Sequence, residues 1–249
     1  MMIMKKQIIA VSVALFCVVI ASSQQTFIGQ VSIDYAKTIS YWPLAKEMWP
    51  EWFEQEKDRM PKEVVSYFNF TGDTARSIYK RTKEPYVQRG LWYWSNGDEN
   101  VVYNDYKTGT TISQKQVYEE TYLLQDSMLN IKWKITPDTR TIAGFNCRKA
   151  IGIMFDTVAV FAFYTDEIMI NGGPEGMHGL PGMILGIGIP RLHTTWFATG
   201  VRVLDINMNA VKPATKGKKT DRISMLATLQ KAMKNWDEQG RKMLLAFTI

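Results

Sequence analysis

NGGPEGMHGLPGMILGIGIP, Asn171 to Pro190, sets seven glycines and three prolines around one short apolar run. Glycine admits positive φ and close backbone approach, and proline fixes φ near −65°, so this density specifies a bent path and not a regular helix. The stretch reads as loop, tight turn, then strand. Gly179-Leu180-Pro181-Gly182 is expected to turn as a type II unit, with Pro181 second and Gly182 in the left-handed third place. Met183, Ile184 and Leu185 then open a strand, and Gly186 and Gly188 keep its surface thin for a neighbour to approach.

Outward from this strand the pattern is β in both directions. Phe27 to Lys37 alternates Val31, Ile33 and Tyr35 with polar residues. Val64 to Phe70 and Thr74 to Arg81 flank Thr71-Gly72-Asp73, a hairpin by composition. Further strands are predicted at Leu91–Trp94, Asn100–Tyr106, Thr111–Tyr118, Asn130–Thr136, Cys147–Phe155, Thr157–Tyr164 and Thr194–Ile206. Turn signals at Ser95-Asn96-Gly97-Asp98 and Lys107-Thr108-Gly109 separate some of them. Short links without helices imply an antiparallel meander. Two segments depart from it. Residues 39–62 form an insert, broken by Pro43 and Pro50, that reads as a loop entering a short helix at about Pro50–Arg59. Its aromatics Tyr41, Trp42, Trp49, Trp52 and Phe53 suit core or lid packing, and the insert is a candidate cover over a cavity. At the other end Asp221 is placed to cap a helix of about 221–239, with Met225, Leu226, Leu229, Met233 and Trp236 on one face. The fold class expected is mainly β: a curved antiparallel meander sheet, bowl or half-barrel, with a short N-terminal helical insert and a C-terminal helix.

Gly179 to Ile184 (GLPGMI) resembles the signature of the GLPGLI family, exported proteins of Bacteroides- and Flavobacterium-type bacteria, with Met183 replacing Leu at conserved volume. Ile142-Ala143-Gly144-Phe145-Asn146-Cys147-Arg148-Lys149-Ala150 is similar to the family's upstream element, and Phe163 to Ile168 to its aromatic strand. The resemblance covers about residues 85 to 205. It implies a bowl similar to the N-terminal domain of PNGase F-II-type glycoamidases, and by analogy the half-barrel of periplasmic lipoprotein carriers. It also implies a partner, an outer-membrane β-barrel receptor of the TonB-dependent type, but no established reaction.

The chain of 249 residues, 46% hydrophobic and 22% charged, suits one domain with ample core, here residues 24–249. Met1 to Ser23 reads as a signal peptide: Lys5 and Lys6, an apolar stretch to Ile20, and small Ala21 and Ser23 before a cut at Gln24. The expected location is the periplasm or the outer membrane. Loss of that leader leaves Cys147 alone, a small buried hydrophobe by pattern, and excludes an internal disulfide. The formal charge of +6, two lower after cleavage, is too mild for a nucleic-acid partner. Lys212, Lys216, Lys218, Lys219 and Arg222 form one basic cluster, read as solvated.

Candidate chemistry is sparse. Asn171, Gly172, Gly173 and Pro174, with Gly179, Leu180, Pro181 and Gly182, form a rigid backbone surface whose amides can meet a carbonyl, carboxylate or partner strand. Chain reversal is their simpler role. Met177, His178 and Met183 offer soft and borderline donors that suit copper, so a copper- or haem-handling protein is an alternative, although no cofactor is expected. Asp166 and Glu167, adjacent on a strand, point to opposite faces, which weakens the third alternative, an exported hydrolase. Three Asp-Ser/Thr-apolar triplets, starting at Asp73, Asp126 and Asp156, resemble Bacteroides-type O-glycan acceptors. The function expected is a non-catalytic cell-envelope binding or assembly factor. A sheet face rich in aromatics, partly covered by Trp42, Trp49 and Trp52, would hold an apolar ligand or peptide segment.

Overall fold

Alternation along Gln30–Ser40 buries Val31, Ile33, Tyr35, Lys37 and Ile39, and this strand, β1, forms the middle of the sheet. The computed structural model describes residues 28–83, 99–235 and 237–249, with 237–239 described by backbone only. The leader, the expected strand Leu91–Trp94, its following turn and Trp236 lie outside the described residues. The remaining strands are β2 (Glu63–Asp73), β3 (Arg76–Lys83), β4 (Val101–Asp105), β5 (Thr110–Val117), β6 (Glu120–Ser127), β7 (Lys132–Ile142), β8 (Phe145–Met154), β9 (Val158–Thr165), β10 (Met183–Ile189), β11 (Thr194–Arg202) and β12 (Lys218–Thr220). The helices are α1 (Tyr41–Met48), α2 (Pro50–Glu56), α3 (Arg222–Ala232) and α4 (Asp237–Thr248).

From edge to edge the order is β12-β6-β5-β4-β3-β2-β1-β11-β10-β9-β8-β7. The chain is mainly β, one open curved sheet, as its alternation predicts. It is mixed, because β12 runs parallel to β6 while every other pairing is antiparallel. The meander expected is present as two runs, β1–β6 and β7–β11, joined by the pairing of β1 with β11. Curvature is forced by one short link. β6 and β7 lie ten strand spacings apart in the sheet order, about 48 Å if flat. The residues between them, 128–131, span about 17 Å at most. The two margins therefore curl toward each other, and the Arg222 guanidinium just after β12 lies 5.6 Å from the Phe155 ring just after β8.

Three expectations about elements are corrected. Tyr41–Met48 is helix and not loop, because Pro43 falls in the first turn, where its missing N–H has no intrahelical partner to lose. Pro50 does open the next helix, as read, which closes through a short 3₁₀ turn at Lys57–Arg59. The C-terminal helix is two helices, broken after Ala232, and the second carries Gly240 in its interior at a modest propensity cost. Asp221 caps α3 as expected, its carboxylate accepting Ser224 N–H at 2.9 Å. Strand β6 was not foreseen. Its hairpin turns at Tyr118, held at φ 54° without glycine or proline, and Tyr122-Leu123-Leu124 is buried without alternation. Where β7 meets β8, Ala143 (φ 49°) and Gly144 (φ 88°) make a two-residue turn with both φ positive, the type I′ form that matches strand twist.

Candidate functional site

The signature loop is folded into the bowl. Residues 166–182 leave β9 and return to β10 after crossing β2, β3 and β4, four to six places away in the sheet. A Cβ on Gly172 would stand 2.3 Å from the Tyr106 hydroxyl, and one on Gly176 would stand 2.9 Å from Val102. Gly172, Gly173, Pro174, Leu180 and Gly182 are buried, while Asn171, Gly179 and Pro181 are exposed. Three of the amides expected to face a partner have acceptors within the loop. Gly172 donates to Ile170 O, Gly179 to Asn171 Oδ1 at 2.7 Å, and Gly182 to Leu180 O at 2.8 Å. That last bond closes a three-residue turn about Pro181, and Gly182 has φ 140°, so the type II turn expected here is replaced by a tighter one. Around the loop Tyr35, Phe68, Phe70, Tyr79, Tyr164, Ile168 and Ile170 are at most 1% exposed. Among the described residues, this part of the aromatic inner face is packed by the chain's own side chains.

The three tryptophans pack within the insert and against the core. Trp42 donates to Met60 O at 3.2 Å and meets Phe53 edge-on, and Trp49 meets Trp52 edge-on. Their helices sit at one end of the bowl, tied there by Glu47 on α1. Its carboxylate holds His193 Nε2 at 2.8 Å and also binds Lys242 of α4.

The three donors expected for copper face different neighbours. Met183 Sδ lies 3.9 Å from the Tyr35 hydroxyl, which itself donates to Ile184 O. Met177 lines a cavity beside Met154 and Glu175. His178 lies by Leu129, whose backbone oxygen accepts from the ring, and burial pulls the imidazole below its ordinary range. Its Nε2 has no hydrogen-bond partner among the described residues. No three His, Cys, Asp or Glu side chains converge as a metal site among the described residues. Asp166 is exposed at the end of β9.

Sequence reading missed the polar chamber at the seam where the curled margins meet. A cavity of about 50 Å³ opens between Ser113, Lys115 and Asp126 on one side and Phe155, Glu175 and Met177 on the other. It has room for a few waters. Lys115 is 5% exposed and donates to the main-chain oxygen of Ile249 at 2.5 Å. Asn100 donates to that oxygen and to Glu175 at 2.9 Å. Burial pulls the Lys115 ammonium down to about 8, with Lys37 and Arg222 adding and Glu175 opposing. The lysine sits on the Ser113–Val117 face of β5, where a charged residue ordinarily signals solvent.

The fold and these contacts define a β-bowl closed by its own glycine-rich loop. A family model described as "Protein of unknown function (Porph_ging)" matches residues 152–186, the stretch from β8 through the loop into β10 that supplies one wall of the chamber. No curated protein matches the chain. Among solved structures, PNGF-II in a P21 crystal form is 13% identical with a TM-score of 0.51, over 82% of this chain and 34% of that one. A C2 form of PNGF-II gives 13% and 0.50, over 79% and 32%. The chain thus spans about a third of PNGF-II, and the likeness is one of fold.

Proposed function

We propose that this protein is a non-catalytic binding or assembly factor of the cell envelope, exported by its Met1–Ser23 leader to the periplasm or outer membrane. Its proposed partner is an outer-membrane β-barrel receptor of the TonB-dependent type. The observation that supports this reading is that, among the described residues, loop 166–182 packs onto the aromatics beneath it and the seam chamber is about 50 Å³. What such a molecule offers another is its outer surface and rim. Affinity capture of the tagged protein from native membranes, followed by mass spectrometry, tests it. Recovery of a barrel receptor is the expected result, and repeatable recovery without one would sink the reading. Metal analysis runs beside it, with stoichiometric copper or haem absent by expectation. Copper present in the purified protein and lost in His178→Ala would put the metal-handling alternative first.

A further inference from the structure

We propose that the outward face of β7, β8 and β9 is a docking surface for an anionic lipid bilayer. Register places two rows there: Lys132, Ile153 and Ala159 in one, Lys134, Ile151 and Phe161 in the next. Directly paired residues project to the same side of a sheet, so each row runs from a cation on β7 to hydrocarbon on β8 and β9. Ile151 is 43% and Ile153 46% exposed, whereas Ala150, Gly152 and Met154 between and beside them are buried on the other face.

Phe161 lies over Gly188 of β10, where a Cβ would stand 2.0 Å from the ring, and Phe163 meets it edge-on, so the isoleucines stand beside an aromatic pair. Lys132 and Lys134 are exposed, Asp138 of the same hairpin is bridged to Lys149 at 3.3 Å, and Asp156 is exposed at the β8–β9 turn. Exposed branched aliphatics flanked by long cationic stems match an interface: the isoleucines enter the headgroup boundary and the ammonium groups reach lipid phosphates.

A peptide strand is a poorer occupant, although β7 is an edge of the sheet among the described residues. Pro137 removes a donor, and the register breaks between Ile135 and Thr139, so the edge cannot template an added strand along its length. The lipid proposal stands apart from the receptor reading, since either can fail alone.

Cosedimentation of the full-length protein with phosphatidylglycerol vesicles, against phosphatidylcholine vesicles, tests it. Pelleting is expected with the anionic vesicles only, and to weaken with added salt. Lys132→Ala with Lys134→Ala should lower partitioning about tenfold or more, as should Ile151→Ser with Ile153→Ser. Lys80→Ala with Lys107→Ala, elsewhere on the surface, should leave it unchanged. Circular dichroism melts confirm that each pair folds, and the two test pairs fail independently. The proposal is overturned if the protein stays in solution with phosphatidylglycerol, if neither test pair matters, or if the control pair matters equally. Soluble polyglutamate bound through Lys132 and Lys134, without vesicle binding, would assign the face to an acidic chain and also overturn it.

Discussion

Gly182 carries two separate requirements at once. Its φ of 140° disfavours any L side chain, and a Cβ there would stand 2.1 Å from Thr165 O, a backbone atom with nowhere to go. Gly182→Ala should therefore cost about 3 kcal/mol or more, read as a lowered urea midpoint or as insoluble protein. Gly109→Ala is the control, with φ 67° but nothing within 4 Å, and should cost about 1 kcal/mol. Equal costs would show that close approach contributes nothing. Residues of this kind were legible in the sequence because glycine and proline act through local backbone geometry: the bend at 179–182 and the thin strand at Gly186 and Gly188 are both found. Lys115 was not legible. Its burial is decided by the end of α4 and by Glu175, both distant in sequence, and nothing local distinguishes it from a solvated strand lysine.

At the level of elements, one carboxylate joins three of them. Glu47 on α1 holds His193 between β10 and β11 and Lys242 on α4. The His193 hydrogen bond first, and Lys242 second, hold the Glu47 carboxyl below its ordinary value of 4.5. A group with a depressed folded pKa stabilises fully above its unfolded value and loses that contribution as pH falls through the folded one. The thermal midpoint should thus fall on acidification below pH 4.5, and Glu47→Gln should flatten that part of the profile. At neutral pH the substitution leaves Lys242, 7% exposed, without its counter-charge. Because Glu47 itself is half exposed, the expected cost is about 1–2 kcal/mol after solvent screening. An unaltered acid profile would remove the clasp from consideration. Helix limits were only partly legible here. Pro43 and Gly240 are ordinary breakers: Pro43 is tolerated by its place in the first turn, and Gly240 because packing of Met243 and Phe247 outweighs propensity.

For the molecule as a whole, Lys115 reports on the seam. The folded ammonium gives up its proton at about 8, while the unfolded chain keeps it to its ordinary 10.5. Between those values the unfolded state binds more protons, so stability should rise with pH. The usable window closes near 10, where tyrosines begin to ionise and burial of Tyr35 and Tyr106 acts in the opposite sense. Urea midpoints measured across it should climb for the parent protein and stay level for Lys115→Met; a level parent would exclude the buried charge. The strand content and the meander were foreseeable from alternation and short links, and the bowl from the glycine-rich corners and the family resemblance. Strand order was not, since the pairing of β1 with β11 joins residues 32–39 to 194–202, a contact no local pattern announces. That pairing also orders events in time. A chain threaded out from its N-terminus can zip β1 to β2 early, yet the opposite margin of β1 waits for the last long strand to arrive. Until then a tacky row of free amides and carbonyls is on offer, making the nascent protein a natural client for holding chaperones and a slow, late-closing folder.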